Sequence, residues 1–175
     1  MSTDVSVIDA FPSGRGEDAL ALVFEYMAAT QAEIGRPLPA GIAELPDFLR
    51  RECQDLQGVY QPPGALLIAD CDGQLAGCVG LAAVPAQRTV WIRRLYVRSA
   101  FRGHGFARVL MGHAHDHAAR HDMTRLILNV LPARGAVISF YRGLGYTETE
   151  PFETGSPLPM IYMERPVAGP DLLTV

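Results

Sequence analysis

Apolar residues recur along this chain with changing periods, and each change marks the edge of an element. Val5 to Asp9 alternates briefly and stops at Pro12-Ser13-Gly14, as a short opening strand would. From Glu17 to Ile34, the positions Leu20, Val23, Phe24, Met27 and Ala28 recur at three and four residues, which predicts a helix with one buried stripe. Gly35-Arg36-Pro37-Leu38-Pro39 breaks that pattern, and a second helix is expected over Pro46 to Leu56. After Pro62-Pro63-Gly64 the runs become continuously apolar. Ala65 to Ala69 and Leu75 to Val84, around Asp72-Gly73, read as a hairpin. Strict alternation over Thr89 to Arg98 puts Val90, Ile92, Arg94, Tyr96 and Arg98 on one face. Trp91, Arg93, Leu95 and Val97 fall on the other, so Arg93 and Arg94 are expected to point apart. A helix from Gly105 to His121, an aliphatic strand from Arg125 to Leu131 and a shorter helix from Ala136 to Leu144, capped by Gly145, come next. Two last strands, Tyr146 to Thr149 and Met160 to Glu164, enclose a proline-rich loop.

That order, β-α-α-β-β-β-α-β-α-β-β, is not the regular alternation of a doubly wound sheet. It predicts an α+β fold: one mixed, mostly antiparallel sheet of about seven strands with about four helices on its faces. No repeat or linker divides the chain, and residues 1–175 are read as a single domain.

Composition narrows the function classes. The chain is 49% hydrophobic and 19% charged, which excludes disorder. A net charge of −4 disfavours broad contact with nucleic acid or anionic lipid. The start, MSTDVSVIDAF, has no basic or long apolar leader, and no run approaches the ~20 apolar residues of a membrane span, so a cytoplasmic protein is expected. All fifteen basic residues are arginine, which excludes a Schiff base on a protein lysine. Cys53, Cys71 and Cys78 have no CxxC spacing. With a two-residue Asp72-Gly73 turn, Cys71 would face Gln74 and Cys78 would face Leu67, too far apart to bridge, so buried thiols are expected.

The chemistry centres on Arg102-Gly103-His104-Gly105-Phe106-Ala107, a glycine turn between the Thr89–Arg98 strand and a helix. Its glycines remove Cβ atoms, and the helix start offers N–H groups without intrahelical partners, so an anion, phosphate above all, is the expected ligand. GxxxxGK[ST] is absent, and the third glycine of GxGxxG is missing. His113, His117 and His121 share a helical stripe, but no carboxylate shares it, so a half-buried or solvated edge is expected and no metal site. Glu25, Glu33, Glu44 and Glu52 read as solvated helix charges.

The spacing Arg102-x-x-Gly105-x-Ala107, after Arg94-Leu95-Tyr96-Val97-Arg98, resembles the acyl-CoA-binding motif of the GNAT superfamily of N-acetyltransferases, in its bacterial small-molecule branch. Ala136 to Tyr146, AVISFYRGLGY, resembles that family's closing segment, and together the likeness covers residues from about Ala65 to Glu164. It implies acetyl-CoA as co-substrate, with its pyrophosphate on Arg102, Gly103, His104, Gly105, Phe106 and Ala107, and with Arg134 near a phosphate, a substrate carboxylate or the helix start. It implies the pantetheine arm beside Leu95, Tyr96 and Val97, where that strand splays from the one carrying Asn129. Tyr141 matches the tyrosine that protonates the leaving thiolate. Trp91 stands where many relatives carry a glutamate base, so the base is open: Asn129 holding a water, or Glu148, Glu150 or Glu153. Arg93, Arg94 and Phe152 are the expected acceptor-side residues. The implied activity is acetyl transfer to the primary amine of a small molecule by a monomer or homodimer. The rivals are a CoA-binding sensor without turnover and a protein N-acetyltransferase.

Overall fold

In a computed structural model, described here over residues 5–167, β1 (Val5–Asp9) leads into α1 (Gly16–Glu33) and then α2 (Asp47–Gln54). A single turn, α3 (Leu56–Val59), precedes β2 (Ala65–Cys71), β3 (Gln74–Val84) and β4 (Thr89–Val97). After α4 (Phe106–Arg120) come β5 (Arg125–Val130), α5 (Gly135–Gly143), β6 (Thr147–Glu148) and β7 (Ile161–Pro166). The strands form one sheet in the order β1-β2-β3-β4-β5-β7-β6. Every neighbouring pair is antiparallel except β4 and β5. The fold class, the strand count and the element order agree with expectation. One element was missed: the predicted second helix breaks at Asp55 (φ −140°), whose side chain accepts from the Gly58 N–H and starts α3.

Local chemistry explains the turns. Asp72 and Gly73 both have positive φ, 50° and 81°, as a two-residue hairpin of the favoured hand requires. Cys71 faces Gln74 as expected, but Ala76 bulges between the pairs Asp70↔Leu75 and Ala69↔Gly77. Cys78 therefore faces Ile68, one position from its expected partner. All three cysteines are buried, and burial pushes the Cys78 thiol up to about 12. At the end of α5, Gly145 (φ 87°) donates to Arg142 O and Tyr146 N–H donates to Tyr141 O, the paired bonds of a glycine-terminated helix.

Two cores flank the sheet. On one face Val90, Ile92, Leu126, Leu128 and Met163 pack with Leu110, Met111 and Ala114 of α4 and Ile138 and Tyr141 of α5. On the other, Leu66, Ile68 and Cys78 pack with Leu22, Val23 and Met27 of α1 and with Leu49, Cys53 and Tyr60 around α2 and α3. Among the described residues no helix is long and apolar enough to cross a membrane.

Candidate functional site

The sheet opens at its centre. β5 pairs with β4 only through Thr89↔Arg125, Val90↔Leu126 and Trp91↔Ile127. From Ile92 to Val97, β4 keeps β3 as its neighbour on one side and leaves β5 on the other. A wedge therefore forms between Leu95–Val97 and the half of β5 that carries Asn129.

β4 is itself distorted beside this wedge. Gly80 faces Arg93 while Cys78 faces Tyr96, so Val79 stands against both Arg94 and Leu95. Arg94 takes φ 55°, a bulge that reverses the alternation of the strand. Leu95 and Val97 pack with the α4 core, whereas Tyr96 packs with the α1 core. The expected faces therefore hold up to Ile92 and exchange beyond Arg94. Arg93 and Arg94 do not point apart: both reach Glu52 of α2. Arg94 donates from Nε to Oε1 (2.9 Å) and from Nη2 to Oε2 (2.7 Å), and Arg93 Nη2 donates to Oε2 at 2.8 Å.

Glu52, expected as a solvated helix charge, is instead buried, with Tyr60 Oη–H also donating to Oε1 at 2.7 Å. Burial pushes its carboxyl up, but the Arg94 hydrogen bonds and the charges of Arg94 and Arg93 outweigh burial and leave it below the usual range. Gly80 makes room for this network, because a Cβ there would lie 2.4 Å from the Tyr60 ring. Glu25 and Glu33 are likewise paired: Glu25 accepts from Arg98, and Glu33 from Arg134. The signal for all three was the supply of arginines at Arg93, Arg94, Arg98 and Arg134, with no lysine to compete.

The glycine turn lies just past the open edge of β4. Gly103 and Gly105 have φ of 78° and 86°, and no atom lies within 4 Å of a Cβ built on either. Gly105 caps α4, so the N–H groups of Phe106, Ala107 and Arg108 have no intrahelical acceptor. Arg102 Nε donates to Val97 O at 2.9 Å, tying the turn to the strand end. Phe101 and Phe106 pack edge to face at 5.5 Å beneath it.

On the α4 and α5 side of the wedge, Tyr141 is buried beside Phe140 and Tyr146, at ring separations of 5.6 and 5.7 Å. Burial raises its hydroxyl pKa far above the usual value, so it stays protonated. On the opposite side, Trp91 meets Phe152 edge on at 5.3 Å, and Phe152 meets Tyr162 at 5.0 Å. Asn129 Nδ2 donates to Glu153 Oε1 at 2.7 Å, and Tyr162 Oη–H donates to the same oxygen at 3.4 Å. Of the three closing-loop glutamates, Glu153 alone joins Asn129; Glu148 pairs with Arg142. Arg134 lies at the start of α5 and donates to three side chains of α1: Glu33, Thr30 Oγ1 (2.9 Å) and Tyr26 Oη (3.2 Å). The sequence suggested no such tie.

Two histidines of the predicted stripe hold backbone carbonyls. His117 Nε2 meets Pro63 O at 2.9 Å and His121 Nδ1 meets His117 O at 2.9 Å. Among the described residues no group of three or more His, Cys, Asp or Glu side chains is placed to hold a metal ion.

Comparison with known proteins agrees with this architecture. The model of the acetyltransferase (GNAT) family matches residues 28–146. The chain is 30% identical over 158 residues to the N-acetylaspartate synthetase of Rattus norvegicus, covering 78% of this chain and 53% of that one. It thus spans about half the length of that relative. It is 27% identical over 114 residues to the IAA acetyltransferase of Azospirillum brasilense, covering 65% of this chain and 74% of the relative. A GNAT-family acetyltransferase structure from Staphylococcus aureus superposes with a TM-score of 0.73 at 11% identity, over 94% of this chain and all of that one.

Proposed function

Because the chain belongs to the GNAT family of acetyltransferases, we propose that it is an acyltransferase that moves the acetyl group of acetyl-CoA directly to the amine of a small molecule. One observation supports this reading: β4 parts from β5 after Trp91 and leads into the positive-φ glycine turn, while Tyr141 belongs to the core against which Leu95 and Val97 pack. The phosphates bind Arg102, Gly103, His104, Gly105, Phe106 and Ala107, where N–H donors and the positive end of α4 face an anion. The pantetheine arm lies against Leu95, Tyr96 and Val97 as an added strand, since β4 has no neighbour on that edge beyond Trp91. A backbone N–H of this stretch polarises the acetyl carbonyl.

The acceptor approaches from the face of Trp91, Phe152 and Asn129, and the leaving sulfur lies toward Tyr141 on the other. The neutral amine nitrogen forms a bond to the carbonyl carbon, the C–S bond breaks, the Tyr141 hydroxyl gives its proton to the thiolate and regains one from solvent, and the extra proton on nitrogen leaves the site. Burial suits Tyr141 to this role by keeping it an acid. The names of the relatives, one for N-acetylaspartate and one for IAA, support a small acceptor rather than a protein tail. Calorimetric titration with acetyl-CoA, followed by thiol release with a panel of small amines, tests the reading. Saturable binding with amine-dependent release supports it. Binding of ATP or NAD but not CoA overturns it.

A further inference from the structure

Arg93 and Asn129 each lie two residues beyond the last pair joining β4 to β5, Trp91↔Ile127, and each returns to the face of its predecessor. They stand at one level on opposite lips of the wedge. Next to Asn129 on β7 is Tyr162, and both donate to Glu153. The floor across this level thus runs from a guanidinium to a carboxylate.

The two ends have distinct chemistry. At one, Glu52 neutralises one of two arginines, leaving a net positive charge beside it. Arg94 has its fork bound to Glu52 and a side chain 14% exposed, so it braces the network. Arg93 touches Glu52 through Nη2 alone, is 25% exposed, and lies with its Cζ 4.9 Å from the Trp91 ring centroid. Among the described residues its other N–H groups have no hydrogen-bond partner. Trp91 adds a buried Nε1–H that has no hydrogen-bond acceptor among the described residues. At the opposite end, Glu153 is held through Oε1, with Oε2 outside both bonds.

We propose, building on the acetyl-transfer reading above, that this floor selects a small zwitterionic acceptor, an amine that also bears a carboxylate. Arg93 takes the carboxylate and Glu153 takes the amine. The ammonium of the zwitterion first gives one proton to solvent, and the neutral amine then donates one N–H to Glu153, which aims its lone pair at the acetyl carbon. After attack, the extra proton on nitrogen passes to Glu153 and then to solvent, while Tyr141 protonates the sulfur and regains its proton from solvent. Glu153 thereby occupies the place left open by Trp91. Arg94 and Asn129 are positioning residues, which hold Glu52 and Glu153.

The test compares the proteinogenic amino acids with their α-amides and their decarboxylated amines, by thiol release and N-acetyl product, in wild type, Arg93→Gln, Arg93→Lys and Glu153→Gln. At least one amino acid should exceed its amide and its decarboxylated amine in kcat/KM by about 10- to 100-fold. Arg93→Gln should erase that preference mainly through KM, and Arg93→Lys should restore part of it. Glu153→Gln should lower kcat by about 10²- to 10⁴-fold with acetyl-CoA affinity retained. Equal turnover of all three compound types in wild type overturns the proposal, as does equal loss for all three in Arg93→Gln. The same amino acids are also titrated by calorimetry into the enzyme–CoA complex. If no thiol is released with any amine, the transferase reading fails and this titration decides alone. Saturable binding that Arg93→Gln removes supports the zwitterion site, and absence of binding overturns it.

Discussion

Arg94 and Glu52 join in a two-bond fork, Nε to Oε1 at 2.9 Å and Nη2 to Oε2 at 2.7 Å, that ties the bulge of β4 to the inner face of α2. Both side chains are withdrawn from water, 14% and 5% exposed. Removing one partner strands the other charge. Glu52→Ala should therefore cost about 3–5 kcal/mol and lower Tm by roughly 6–20 °C, read by calorimetry. Loss below about 1 kcal/mol would show that the pair is not the brace described. The Glu52 carboxyl lies below its ordinary value of 4.5, so the stability it contributes is present above that pH and lost as pH falls through the lower folded value. The acid limb of wild-type unfolding should lose this component in Glu52→Gln.

Tyr141→Phe keeps the aromatic packing and removes the proposed acid. It should lower kcat by about 10- to 1,000-fold with acetyl-CoA affinity nearly unchanged, and wild-type rates would refute the assignment. Because burial raises the Tyr141 hydroxyl pKa, its ionisation should not make kcat fall within the ordinary tyrosine range near pH 10. A decline there that Tyr141→Phe abolishes would contradict its environment.

Gly105 carries a φ of 86° at the cap of α4. A Cβ added there meets no described atom within 4 Å beyond its chain neighbours, so it projects into the space assigned to phosphate, and its φ adds strain of about 1–2 kcal/mol. Gly105→Val should fold with lowered Tm and bind acetyl-CoA at least tenfold more weakly by calorimetry. Unaltered affinity would move the ligand elsewhere.

His115 provides a pH test away from the chemistry. Arg165 Nη1 donates to its Nδ1 at 2.9 Å, and arginine cannot accept, so the ring proton lies on Nε2 and is donated to Tyr146 Oη at 2.9 Å. Burial first, and then the charge of Arg165, lowers its pKa to about 4. A histidine lowered in the folded state stabilises above the unfolded value of 6.5, and this is lost as pH falls toward 4. NMR titration of the ring should give a midpoint near 4, and a midpoint near 6.5 would contradict the burial.

Much of this was legible because it depends on local backbone chemistry. Asp72-Gly73, Gly103 and Gly105, and the Gly145 cap all adopt the positive φ that their residues tolerate. The bulge at Arg94 was not legible, because a non-glycine residue at φ 55° is held by tertiary bonds to Glu52, forty-two positions away. Strict alternation across that point put Arg93 and Arg94 on opposite faces. Nor could the wedge be read from β4 itself; it followed from the resemblance. Glu153 was one of several glutamates until the Trp91–Phe152–Tyr162 contacts placed its loop beside Asn129.

The most direct measurement is amine-dependent thiol release from acetyl-CoA, with the N-acetyl product identified by mass spectrometry. The account predicts one N-acetyl product per thiol with at least one small amine, reduced at subsaturating acetyl-CoA by Gly105→Val and slowed by Tyr141→Phe. Acetyl-CoA that binds but transfers its acetyl group to none of the amines would contradict it.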